Sequence, residues 1–150
     1  LYFSEPDATW YLGTLKLTEL KKKYKKHAVG EKIAWDIANT PMGGECEGYL
    51  PCHLSRDINS YSNYLKDYPQ GKYSQSALKI IDKALKGTAN DKTLTPLLND
   101  DMNKGVSKEL YQMLNNLKKE LKNVKSSLKE KILFNMELIA KKAGLIENSK

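Results

Sequence analysis

The stretch SYSNYLKDYPQGKYSQSALKIIDKAL, residues 60–85, decides the fold. It holds two helical patterns broken by Tyr68-Pro69-Gln70-Gly71. On the first side Ile58, Tyr61, Tyr64 or Leu65, and Tyr68 recur at helical spacing, which predicts a helix over 54–66 stopped by Pro69 and Gly71. On the second side Tyr73, Ala77, Leu78, Ile81, Ala84 and Leu85 form an amphipathic helix, with Gly87 as its expected end. The small residues Ala77 and Ala84 let a neighbouring helix approach closely. The reading is therefore a helical hairpin.

Downstream, the pattern stays helical. A polar linker, 88–92, is followed by Leu94, Leu97, Leu98 and Met102, a short helix closed by Gly105. Leu110, Met113, Leu114, Leu117 and Leu121 then form a stripe that Val124 and Leu128 extend to about three heptads. Ser127-x-x-Glu130 reads as a capping box opening a last helix, which carries Ile132, Leu133, Met136, Ile139 and Ala140 and stops at Gly144. These helices either cover the hairpin as a pair or form a coiled-coil dimer seam through 106–128, and the shortness of the heptad run favours cover.

Upstream, residues 1–4 read as the remnant of an expression tag and are set aside. An anchoring segment removed from in front of them is part of this expectation. TLKLTELKKKYKKH, residues 14–27, is a lysine-rich helix whose cations suit the negative pole of the macrodipole, with Gly30 as a stop. A second short helix over 31–39 carries Ile33, Ala34, Ile37 and Ala38 with Trp35 beside them, ended by Thr40-Pro41.

Between this helix and the hairpin lies PMGGECEGYLPCH, residues 41–53, with both cysteines and one of the two histidines. Three readings stand. A disulfide between Cys46 and Cys52 suits C-x5-C, because Gly48 and Pro51 permit a tight turn. It is the favoured reading, and it implies an oxidising compartment, periplasmic or extracellular. Two free thiols in a cytoplasmic protein are the second. A metal site of Glu45, Cys46, Glu47, Cys52 and His53 is the third, and it would make the chain a metal-binding protein or metal-dependent hydrolase. Glu45 and Glu47 could supply acids for catalysis beside His53, but adjacent loop acids are ordinarily solvated.

The 150 residues carry a net charge of +7, and Arg56 is the single arginine among 25 basic residues. Nucleic-acid readers draw on arginine for bidentate contacts, so the lysine excess reads as solvated surface and nucleic-acid binding is not expected. No apolar run is long enough to span a bilayer. There is no glycine-rich phosphate loop, Ser/His/Asp set or HExxH motif, so no cofactor is expected and enzymatic activity is not favoured.

Tyr61, Tyr64, Tyr68, Ala77, Ile81 and Ala84 have spacings similar to one tetratricopeptide helical hairpin. YLKDYPQGKYSQSA resembles the variant in bacterial cell-envelope assembly lipoproteins and related periplasmic proteins. The resemblance covers about 25 residues. Leu65 stands where that family has a small residue, no proline closes the second helix, and no second copy follows. The resemblance implies a protein-binding scaffold. The expectation is thus an all-α protein of six or seven helices, a single domain over 5–146 with one tetratricopeptide-like hairpin and a frayed tail at 147–150. Its expected function is non-catalytic binding of a protein partner through Trp35, Glu45, Glu47, Tyr49, His53, Tyr61, Tyr64 and Tyr68.

Overall fold

A computed structural model describes residues 2–4, 8–11, 13–40, 46–92, 94 and 104–145. The fold is all-helical apart from one short strand pair. Its contacts group into two compact units, Leu1–Glu45 and Cys46–Lys150.

In the first unit β1 (Tyr2–Ser4) and β2 (Thr9–Tyr11) pair antiparallel, with Phe3 opposite Trp10. Residues set aside as a tag remnant therefore form a strand. Helices α1 (Thr14–Lys23) and α2 (Ala28–Ala38) follow and pack on each other. Helix α1 ends one turn earlier than its lysine run, and α2 begins before Glu31. Gly30 is no stop: it is buried in the first turn of α2. A Cβ there would lie 2.1 Å from the Tyr24 carbonyl oxygen, so the glycine lets α2 start directly against the end of α1. The α2 C-terminus is closed by side chains, Asn39 Nδ2 donating to the Trp35 carbonyl (2.7 Å) and Thr40 Oγ1 to that of Asp36 (2.9 Å).

The second unit is built from α3 (Leu50–Asp67), α4 (Ser74–Asn90), α5 (Lys104–Glu120) and α6 (Ser127–Lys142). Helix α3 starts a turn before the expected Leu54, with Pro51 in its first turn, where a missing N–H costs nothing. Helix α4 runs through Gly87, because Leu85 and Ala89 continue its buried stripe and the glycine keeps helical geometry. The two pack as a hairpin; α5 packs on α3, and α6 on α4. Leu110, Leu114, Leu117, Leu121 and Val124, the stripe that a dimer seam would use, are buried within this unit.

Gly105 lies in the first turn of α5 and does not close a helix. Leu94 is buried, while the rest of the short helix expected through Met102 falls outside the described residues. The last helix is capped one residue earlier than expected. Ser126 has extended backbone and its Oγ accepts from Leu128 N (3.2 Å), so Ser127-x-x-Glu130 is not the capping box. Gly144, at φ 65°, closes α6 as expected, with Leu145 N donating to the Ala140 carbonyl (2.9 Å) and Gly144 N to that of Lys141 (3.1 Å).

Candidate functional site

Cys46 and Cys52 form a pair at disulfide distance, Sγ to Sγ 2.06 Å and Cα to Cα 5.5 Å. Glu47 (φ 45°) and Gly48 (φ 79°) turn the chain through the left-handed region, and Tyr49 N closes the turn on the Cys46 carbonyl (2.7 Å). Tyr49 is then the N-cap of α3, its carbonyl accepting from Cys52 N and His53 N. Glu47 and His53 are exposed. Glu45 lies outside the described residues. The favoured pairing of Cys46 with Cys52 thus takes up the two sulfurs that the alternative metal site would have used. Among the described residues no group of three or more His, Cys, Asp or Glu gathers as a metal site requires.

Beside this turn a polar cleft of about 440 Å³ lies between α3 and α5, lined by Tyr49, Ser55, Asn59, Glu109, Gln112 and Asn116. A hydrogen bond from the Tyr49 hydroxyl to the Glu109 carboxylate raises the phenol above its usual pKa, and burial and the carboxylate's charge add to the shift. Ser55 Oγ donates to the Cys52 carbonyl (2.9 Å). Its hydroxyl proton is committed to the backbone.

The tyrosines form a second cluster, at the other end of α3. Tyr64 stacks on Tyr68 with ring centroids 5.7 Å apart and meets Tyr73 edge-on at 6.3 Å. The Tyr64 hydroxyl accepts from Tyr73 N (3.1 Å), and Ser74 Oγ donates to the Tyr68 carbonyl (2.8 Å). Tyr64 is 2% exposed, so its ring belongs to the core of the hairpin and not to a contact surface. Tyr61 is half-buried, and its phenol is raised by burial and by Asp57. Tyr64 lies fifteen positions after Tyr49, roughly 22 Å along α3 at 1.5 Å per residue. The cysteine turn and the aromatic cluster are therefore two places, not one surface. Trp35 belongs to α2 of the first unit, half-buried there.

A third place was not among the expected site residues. Between α5 and α6 runs an apolar groove of about 560 Å³, whose lining includes Tyr111, Leu114, Leu133, Phe134 and Met136. It exists because α5 spends its buried stripe on α3 and α6 spends its own on α4, leaving few contacts between α5 and α6. Phe134 is 67% exposed and Tyr111 46%. Toward the 121–126 turn the groove continues between lysines, Lys118, Lys119, Lys122 and Lys129, around Asn115 and Leu133. Glu130 and Glu137 also border it; Lys141 pairs with Glu137 (2.8 Å) and holds that carboxyl below its usual pKa.

No family model, curated protein or solved structure matches this chain.

The signal for the third place was present in the sequence. Tyr111, Asn115 and Lys118 each follow a buried leucine by one position, which sets them about 100° around α5 from the core stripe, and Lys122 follows Leu121 in the turn just beyond. Phe134 lies two positions from both Ile132 and Met136, which sets it about 160° around α6 from the Ile132–Met136–Ile139 stripe. Likewise Ser55 with Asn59, and Gln112 with Asn116, are i,i+4 polar pairs that mark the two walls of the cleft.

Proposed function

We propose that this chain is a non-catalytic protein-interaction module of the bacterial cell envelope or secreted space, with α3 and α4 as a tetratricopeptide-like hairpin supporting the binding face. The observation that carries the reading is the α5–α6 groove, where Phe134 and Tyr111 stand exposed over an apolar floor. A contiguous apolar patch rimmed by polar residues is characteristic of a partner surface. The hairpin reading draws support from the packing of α3 on α4 and from the burial of Tyr64, Ala77 and Ile81. The paired cysteines, and the lack of a bilayer-spanning helix among the described residues, are compatible with a periplasmic or extracellular location.

Photo-crosslinking tests the reading. A benzophenone analogue of phenylalanine at position 134 should give a discrete adduct in extracts of the source cells, suppressed by excess unmodified protein. The same analogue in place of exposed Lys79 on α4 should give none. Equal labelling from both positions, or no adduct from 134, would remove the groove as a partner surface.

A further inference from the structure

We infer that the occupant of the α5–α6 groove is an acidic amphipathic helix of a partner protein, about three turns long. This rests on the reading of the groove as a partner surface and adds the partner's chemistry to it. The groove is apolar along its floor and basic at one end, so it asks for one apolar stripe and one cluster of carboxylates. Tyr111, Leu133 and Phe134 offer the anchoring positions that a helix fills at i, i+3, i+4 and i+7. From Tyr111 to the end of α5 at Glu120 is nine residues of rise, roughly 14 Å, and Lys122 lies just beyond it, a span that suits about three turns of a docked helix.

Charge sets the partner's sign. Lys118 and Lys119 are exposed at the end of α5 and Lys122 in the turn just beyond it, and Lys118 follows Tyr111 on one row. Lys129 is partly engaged, its Nζ donating to the carbonyls of Lys122 (3.1 Å) and Val124 (3.2 Å), and it adds positive charge without being needed as a direct contact. Opposing them are Glu130 and Glu137, the latter already paired with Lys141. The basic end therefore favours carboxylates, and the glutamates repel a partner that carries acids along its whole length. An acidic cluster confined to one end of the docking helix fits this distribution.

Synthetic peptides test the inference on the full chain. One is a 14-residue helix with leucine and phenylalanine at i, i+3, i+4 and i+7 and glutamates grouped at one end; a second has lysine in place of each glutamate; a third has the acidic composition in scrambled order. By fluorescence anisotropy the acidic helix should bind at least tenfold tighter than either control, and weaken several-fold as salt rises from 50 to 500 mM. The double variant Lys118→Glu/Lys122→Glu should reverse the preference between the first two peptides; both sites are exposed, so folding is kept. Phe134→Ser should abolish binding of all. Equal binding of acidic and basic helices overturns the inference while leaving the groove a partner surface. So does a concentration-dependent dimer in sedimentation that Phe134→Asp dissolves, whereas binding only to phosphatidylglycerol vesicles overturns both readings. If no peptide binds but position 134 still crosslinks a protein, the inference fails and the interaction reading stands; if neither occurs, both fail.

Discussion

Two glycines on helices show how much a single residue's surroundings decide. Gly30 and Gly87 look alike in the sequence, each an expected helix end, and both lie inside helices. At Gly30 an added Cβ would run into the backbone of Tyr24, which has no room to give because it closes the preceding helix. At Gly87 nothing stands within 4 Å. Gly30→Ala should therefore loosen the α1–α2 turn at a cost on the order of 1–3 kcal/mol, seen as faster amide exchange through α2. Gly87→Ala should instead stabilise the second unit by roughly 0.5–1 kcal/mol through helix propensity. Equal effects of the two changes in a denaturant series would refute the packing difference.

At the scale of elements, the hairpin was the most legible part of the chain. Its apolar periodicity, the Pro69 and Gly71 break and the small Ala77 all have direct physical consequences, and α3 and α4 form on either side of that break. Ala77 is fully buried. Ala77→Leu should overpack the α3–α4 contact and cost on the order of 1–3 kcal/mol by urea denaturation; a neutral result would mean that the two helices do not meet there. The helix boundaries were less legible, because local end signals compete with tertiary packing. Gly87 is overridden by the buried residues on either side, and Ser127 yields the cap to Ser126. The groove was harder still. Periodicity identifies the row that is buried, whereas the row proposed to bind is the neighbouring one, and its exposure depends on α5 and α6 packing on different partners. That pairing follows from topology and not from either helix's own pattern.

Across the whole molecule, the apolar side chains are unevenly placed. Among the described residues the large fully buried side chains, from Ile58 and Tyr64 to Ile132 and Ile139, lie beyond residue 46, in the unit that also holds the cysteine pair. In α2 of the first unit the buried residues are Gly30, Ala34 and Ala38. A unit of this size with a full set of leucine and isoleucine in its core has what independent folding needs. The C-terminal unit also closes itself: Lys142 Nζ donates to the Ala89 carbonyl, Asn135 Nδ2 to Asp82 Oδ1 (3.2 Å), and Gln75 Nε2 to Ser126 Oγ (3.3 Å). A fragment of residues 46–150 should therefore fold alone, with a helical circular dichroism spectrum and one cooperative urea transition. Its cysteines should resist alkylation after denaturation without reductant, leaving the intact mass unchanged. Reduction should then lower its stability by roughly 2–2.5 kcal/mol, the chain-entropy value for a bridge closing a loop of about seven residues. The fold itself should survive, because the turn at Cys46 is a margin of the unit and the core lies along α3 to α6. A broad, non-cooperative transition in the oxidised fragment would show that the core beyond residue 46 is insufficient by itself. Uptake of two alkyl groups without reductant would remove the bridge, and with it the physical reason for an oxidising compartment.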